Sequence, residues 1–356
     1  MAYTTINDPG LFFNTVLYTG NGSAGNAISG VGFSPNMVWI KERNSTSSHT
    51  ISDTIRGIKV RFNPDLTDNE ETLQNLMTSF DADGFTNGAD NGVNENNKTY
   101  AAWNWNASTA FSNDASATSI GTIDSAGSVN DTAGFSIVSY TGTGANGTVK
   151  HGLSTAPNWI IFKNRETDGQ NWVVYLSVTS STPADDFLKL NATSAVGSST
   201  SYGNNTVPTT SVFSVGANDN TNKSSVGQMA YCWSERKGYS KMGTYIGNGL
   251  AGGPFVYTGF KPQFIIGKRL DAAGGWWMVD NKRPGYNNTL EYVVADNNNP
   301  EQDDGSFATD FLSNGFKCRA TNGHFNADGG NYSYIAFADC PFVNSNGVPA
   351  TTRGGV

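Results

Sequence analysis

Three glycine-rich runs, Gly20-Asn-Gly-Ser-Ala-Gly25, Gly142-Thr-Gly-Ala-Asn-Gly147 and Gly247-Asn-Gly-Leu-Ala-Gly252, carry a G-x-G-x-x-G spacing. That spacing holds a dinucleotide pyrophosphate when it follows a strand and opens a helix. Here the next ten or so residues are rich in Gly and Pro and too short for a helix, so the glycines read as turns or bulges needing positive φ. Asp81-Ala-Asp83-Gly84, with Asp90 and Glu95 downstream, opens like a calcium loop, but Phe85 stands where a third ligand belongs. Asn314-Gly315 occupies the corresponding place later in the chain, so turn chemistry accounts for the motif. Asp303, Asp304 and Asp310 are read in the same way, and no metal or cofactor is expected. A glycosidase needs two facing carboxylates, and the spacing of the acidic residues singles out no such pair. His49, His151 and His324 have no metal-ligand spacing, and G-x-S-x-G and P-loop motifs are missing, so no catalytic residue is assigned.

Binding has more material. Sugars stack on exposed aromatic rings while Asn and Asp bond their hydroxyls, and the chain has eight tryptophans and fourteen tyrosines. Trp39, Trp103 and Trp159 lie inside apolar runs and are assigned to the core. Trp276 and Trp277 are neighbours on one strand, so one of them must face outward or into a neighbour. Trp276 and Trp105 are therefore the candidate glycan-binding residues. Asp53 with Arg56, and Asp280 with Arg283, read as local pairs in turns.

The elements that position these residues recur. Tyr18, Tyr140 and Tyr245 each precede a glycine-rich run, a proline follows each after 17 residues (Pro35, Pro157, Pro262), and a lysine six residues later (Lys41, Lys163, Lys268). Between proline and lysine lie short β-branched and aromatic runs that suit strands buried on both faces, with the proline at the strand start. A second such run follows, then a turn, then a closing run around Ala102, Ala230 and Ala336. The expected fold is all-β: three tandem antiparallel β-sandwich units of jelly-roll or concanavalin-like type, at 1–106, 134–236 and 237–343. Residues 107–133, rich in Ser, Ala and Thr, read as a linker with one edge strand at most, and 344–356 as an extended tail. One short helix is expected within 68–80, where Leu73, Leu76 and Met77 share a face.

Charged residues are 15% of the chain, and the net charge is −8. An acidic chain without a basic stripe argues against nucleic acid, and no apolar run is long enough to enter a membrane. Cys232, Cys318 and Cys340 are far apart and read as reduced thiols.

The opening MAYTTINDPGLFFNTVLYTGNG, the internal AGFSIVSYTGTG and HGLSTAPNWIIFKNR, the later GYSKMGTYIGNG, and the closing FLSNGFK and YIAFADCPFV resemble a family of repeat-built structural proteins of marine tailed phages. The resemblance covers nearly the whole chain. It implies a virion protein, fibre-like or lectin-like, made in the host cytoplasm and assembled with other virion proteins as a homo-oligomer, a trimer by analogy. The function expected is a tail-fibre or adhesion component touching a host surface glycan. An architectural head or tail decoration and a glycan-cleaving tailspike are the alternatives.

Overall fold

Apolar runs bounded by Gly, Asn and Pro become strands, and in the computed structural model, which describes residues 3–283 and 287–349, the strand ladders are antiparallel. The first group is β1 (Phe13–Thr19), β2 (Asn26–Ser29), β3 (Met37–Glu42), β4 (Thr50–Asp53), β5 (Val60–Arg61), β6 (Glu71–Thr72), β7 (Met77–Asp81), β8 (Gly84–Asn87), the turn α1 (Asn91–Asn94) and β9 (Thr99–Trp105). It makes an inner sheet β1-β9-β3-β4 and an outer sheet β2-β8-β7.

The second group is β10 (Thr109–Asn113), α2 (Ala115–Thr118), β11 (Ser125–Asn130), β12 (Phe135–Thr141), β13 (Gly147–Lys150), β14 (Trp159–Asn164), β15 (Val173–Leu176), β16 (Asp186–Lys189), β17 (Gly197–Ser198), α3 (Thr200–Gly203), β18 (Val212–Val215), α4 (Asp219–Asn222) and β19 (Gly227–Trp233). Its inner sheet is β10-β11-β12-β19-β14-β15-β16-β17 and its outer sheet β13-β18.

The third group is β20 (Ser240–Ile246), β21 (Phe255–Tyr257), β22 (Phe260–Arg269), β23 (Trp277–Asp280), β24 (Val293–Val294), β25 (Thr309–Leu312), β26 (Gly315–Cys318), α5 (Gly323–Asn326) and β27 (Asn331–Pro341). Its inner sheet is β20-β27-β22-β23-β24 and its outer sheet β21-β26-β25. One strand order therefore recurs: β1-β9-β3-β4, β12-β19-β14-β15 and β20-β27-β22-β23. We call the three groups lobes.

The inner sheets explain the unbroken apolar runs, because both of their faces are buried. β3 and β14 are buried at every residue, which strands packed on two sides require. One face of each inner sheet packs on its own outer sheet, as Val38, Ile40 and Phe85 do in the first lobe. The other faces share one central core that includes Phe13, Trp105, Trp233, Phe264 and Phe337, drawn from all three lobes.

Three local expectations are corrected. Residues 107–133 are not a linker, since β10 and β11 extend the second inner sheet. Small residues suffice there because a strand near a sheet edge is held mainly by its ladder, and a Cβ on Gly127 would lie 1.9 Å from the Ile137 carbonyl. The segment 68–80 forms β6, a turn and the start of β7, because pairing of β7 with β8 outweighs the helical spacing. Pro262 lies inside β22, at a register shift against β27, since proline has no N–H to give a regular ladder. Of the expected C-terminal tail, residues 350–356 lie outside the described residues.

Candidate functional site

Trp105 and Trp276 are both completely buried, so neither ring is open to a sugar. Trp105 sits where the lobes meet, its ring 5.9 Å from Trp233 and 5.7 Å from Phe337. Strand alternation sends Trp277 into its own lobe and Trp276 into a joint between lobes. Trp276 donates from Nε1 to the Lys189 carbonyl of the second lobe at 2.9 Å. Trp172, in the matching place, donates to Asn63 of the first lobe at 3.1 Å, and His49 Nε2 pairs with the Val294 carbonyl of the third at 3.2 Å. The joints thus close a ring: second lobe on first, third on second, first on third.

The recurring lysines belong to the same joints. Lys163 Nζ donates to Thr67 and Gln170 carbonyls, Lys41 to Glu42 and Asn298, and Lys268 to Ala192 and Gly274. Burial pushes all three down to about 8. Two joints are also ionic. Arg165 holds Glu70 at 2.9 and 2.8 Å, and Arg43 holds Glu301 at 3.0 and 2.8 Å. In the third joint the corresponding backbone bond runs from Val196 to Leu270, so an apolar pair replaces the ion pair. The turn pairs follow this division. Arg56–Asp53 and Arg283–Asp280 are fully buried, and each aspartate also accepts a bond from the next lobe, from Tyr231 Oη at 2.7 Å and from Trp103 Nε1 at 3.2 Å. Leu176 takes the aspartate's register position in the second lobe. These side chains are consumed in joining lobes.

The glycine-rich runs are equally structural. Asn94, Asn222 and Asn326, each fully buried on α1, α4 and α5, grip the three runs. Asn326 donates to Asn248 Oδ1 and to the Leu250 and Ala320 carbonyls, and accepts from Asn248 N at 2.8 Å. Gly20, Gly142 and Gly247 allow this approach, since a Cβ on any of them would lie 2.2 Å from a carbonyl oxygen. Gly22, Gly144 and Gly249 have φ of +68°, +71° and +66°. The acidic turns are likewise accounted for. Asp83 accepts from Gly30 and Gly32 N–H groups, which hold its carboxyl below the usual range, and Asp81 accepts from Thr86 Oγ1 at 2.7 Å. Asp304 accepts from Ser306 N, and Asp310 lies 3.5 Å from Arg319. Among the described residues no group of three His, Cys, Asp or Glu side chains could hold a metal ion.

What remains is what one lobe has and its sister lobes lack. On the outer sheet of the third lobe, Phe255 and Tyr257 are 47% and 54% exposed on edge strand β21, with Val256 between them pointing inward. Register places Phe255 beside Lys317, whose other neighbour is Asp310 on β25, and Tyr257 beside Gly315, whose other neighbour is Leu312. Tyr3 extends this face, its hydroxyl 3.4 Å from that of Tyr257. The matching pairs are Ala27 and Ser29 in the first lobe and Thr148 and Lys150 in the second. The fold therefore does not require rings at these positions. Aligning the repeats would have found them: an alternating Phe-Val-Tyr where the sister copies are small or polar.

The second lobe differs by omission. Its outer sheet has no counterpart of β7 or β25, and a cleft opens between β15, β16, α3 and β18, lined by Tyr175, Phe187, Tyr202 and Phe213 among others. Val173 stands there in the register position of Trp277 in the third lobe.

Fold and geometry define an all-β protein of antiparallel sheets, with an exposed aromatic face and an aromatic cleft. The chain belongs to a family whose model, described as a domain of unknown function (DUF7483), matches residues 8–341. That single match spans all three lobes. No curated protein matches the chain.

Proposed function

We propose that this chain is a structural protein of a tailed-phage particle, exposed on it as a tail-fibre or adhesion component and touching a host surface glycan through Phe255 and Tyr257. The carrying observation is that pair of exposed rings, flanked by Lys317, on a sheet whose two sister copies have none. Neutral sugar faces stack on such rings while the flanking Lys317 bonds hydroxyls. The role is one of binding without catalysis. In this reading each lobe is a sandwich of jelly-roll or concanavalin-like type, and the three follow one another in the chain. Because the lobes already close a ring through a shared core, a homo-oligomer, trimer or other, has only outer faces left for its contacts. No helix among the described residues is long and apolar enough to cross a membrane.

The test is binding of labelled protein to host cells with free polysaccharide as competitor, comparing the natural chain with the Phe255→Ala/Tyr257→Ala double variant and measuring reducing-end release. Competed binding that the double variant loses supports the reading. Binding that the variant keeps removes this face from it. The same exposed rings also suit a seat for another particle protein, so absence of cell binding by folded protein favours an architectural decoration, and sugar release favours a tailspike.

A further inference from the structure

We propose that the cleft of the second lobe is a separate carbohydrate subsite, selecting a sugar that carries a methyl group, on an N-acetyl substituent or as a 6-deoxy carbon. The inference rests on the glycan reading above and gives it a specificity.

The cleft exists because a covering strand is missing and a large ring is exchanged for a smaller one. The first and third lobes lay a third outer strand over the sandwich, and the third lobe also buries Trp277 against Phe307 and Phe325. The second lobe has the turn α3 in place of that strand, and Val173 faced by Phe162 in place of Trp277 faced by Gly267. The cavity left is about 30 Å³. A water-sized sphere needs roughly 10–15 Å³, so about two non-hydrogen atoms fit, which suits a methyl group with its attached carbon and excludes a whole sugar ring.

The walls set the chemistry. Ile160, Phe162, Val173 and Phe213 form an apolar floor, and a small apolar cavity is poorly hydrated. Tyr175, Phe187 and Tyr202 form the rim and are all only partly buried, with Phe187 and Tyr202 rings 4.4 Å apart. Rings at a rim offer faces for the body of a sugar whose methyl enters below. Polar groups stand at the same mouth. Asp186, partly exposed, accepts from Thr179 Oγ1 at 2.8 Å, and Thr206 is exposed. Burial and the Asp186 charge push the Tyr175 hydroxyl up to about 12, so it stays a donor at any physiological pH. A site with an apolar floor, aromatic rim and one carboxylate at its mouth matches a neutral, methylated polyol better than a fatty chain, which needs depth, or an anion, which Asp186 would repel.

Saturation-transfer NMR of the whole protein with N-acetylglucosamine, fucose and glucose tests this. Saturation should be strongest on the methyl protons of one of the first two sugars, identifying the source of the methyl, and weak throughout glucose. Phe162→Gly/Val173→Trp, which installs the third lobe's own Gly267–Trp277 pair, should cut that signal at least fivefold in a protein that still melts cooperatively. Ala184→Leu at the half-buried mouth serves the same purpose if the tryptophan does not fold. Equal saturation of glucose, no methyl preference, or a methyl signal surviving in a folded cleft-filling variant would overturn the subsite. The Phe255→Ala/Tyr257→Ala protein should keep the methyl signal. If that variant loses it and the cleft variants do not, the sugar sits on the outer face, and the subsite fails while the adhesion reading stands.

Discussion

The three joints contain their own control experiment, because two are ionic and one is apolar in the same backbone setting. Replacing Arg165 by Leu and Glu70 by Val copies the third joint, Leu270 with Val196, into the first. Arg165→Leu alone removes two charge-assisted bonds of 2.9 and 2.8 Å and leaves a partly buried carboxylate unpaired. Such a loss costs up to ~3 kcal/mol when buried, and partial exposure of both side chains reduces this to about 2 kcal/mol. Glu70→Val alone leaves the guanidinium in the same position and should cost a similar amount. In the double variant no charge is stranded, and two newly packed apolar side chains contribute ~1.5 kcal/mol each, offsetting most of the lost bonds. The backbone bond from Glu70 N to Arg165 O, 2.8 Å, is untouched. The double variant should therefore fall within about 1 kcal/mol of the natural chain, with a coupling energy of about 3 kcal/mol. For 356 residues the unfolding entropy is about 0.7 kcal/mol per degree, so each single variant should melt roughly 3 °C lower. Guanidinium midpoints and calorimetry on all four proteins give the cycle. A double variant less stable than either single one would refute the idea that the joints are interchangeable.

Stability should rise with pH between about 7.5 and 9. Lys41, Lys163 and Lys268 titrate near 8 in the folded chain against an ordinary 10.5, so above 8 the unfolded chain binds more protons than the folded one. The buried thiols of Cys232 and Cys318, pushed up by burial, oppose this above pH 9, which bounds the window. Urea midpoints at pH 7.5 and 9 should differ in the natural chain and converge when all three lysines are methionine. Gly247→Ala should cost ~2 kcal/mol or more, because its Cβ would meet the Ala327 carbonyl at 2.2 Å, while Gly252→Ala, with nothing within 4 Å, should cost little; thermal melts decide between them. Asn326→Ala removes three donated bonds and one accepted bond from a fully buried site, and should cost about 3 kcal/mol and speed hydrogen exchange at 247–252.

The amino-acid sequence determined the repeated strand plan. Tyrosine, proline and lysine at fixed spacing mark equivalent points of three inner sheets, because a strand buried on both faces must be continuously apolar and its ends must turn. It also identified the turn pairs Asp53–Arg56 and Asp280–Arg283, which depend only on residues three apart. The role of Trp276 was not legible. Alternation says that Trp276 and Trp277 face opposite ways, but whether the outward side meets water or another lobe depends on how the sheets pack, and here it meets the second lobe. Trp105 was misread for the same reason: the central core is assembled from residues as distant as Phe13 and Phe337. The exposure of Phe255 and Tyr257 and the opening beside Val173 were likewise decided by tertiary structure, since a free sheet edge and a missing covering strand are relations between segments. Local spacing sets which residues share a face; only packing sets what that face touches.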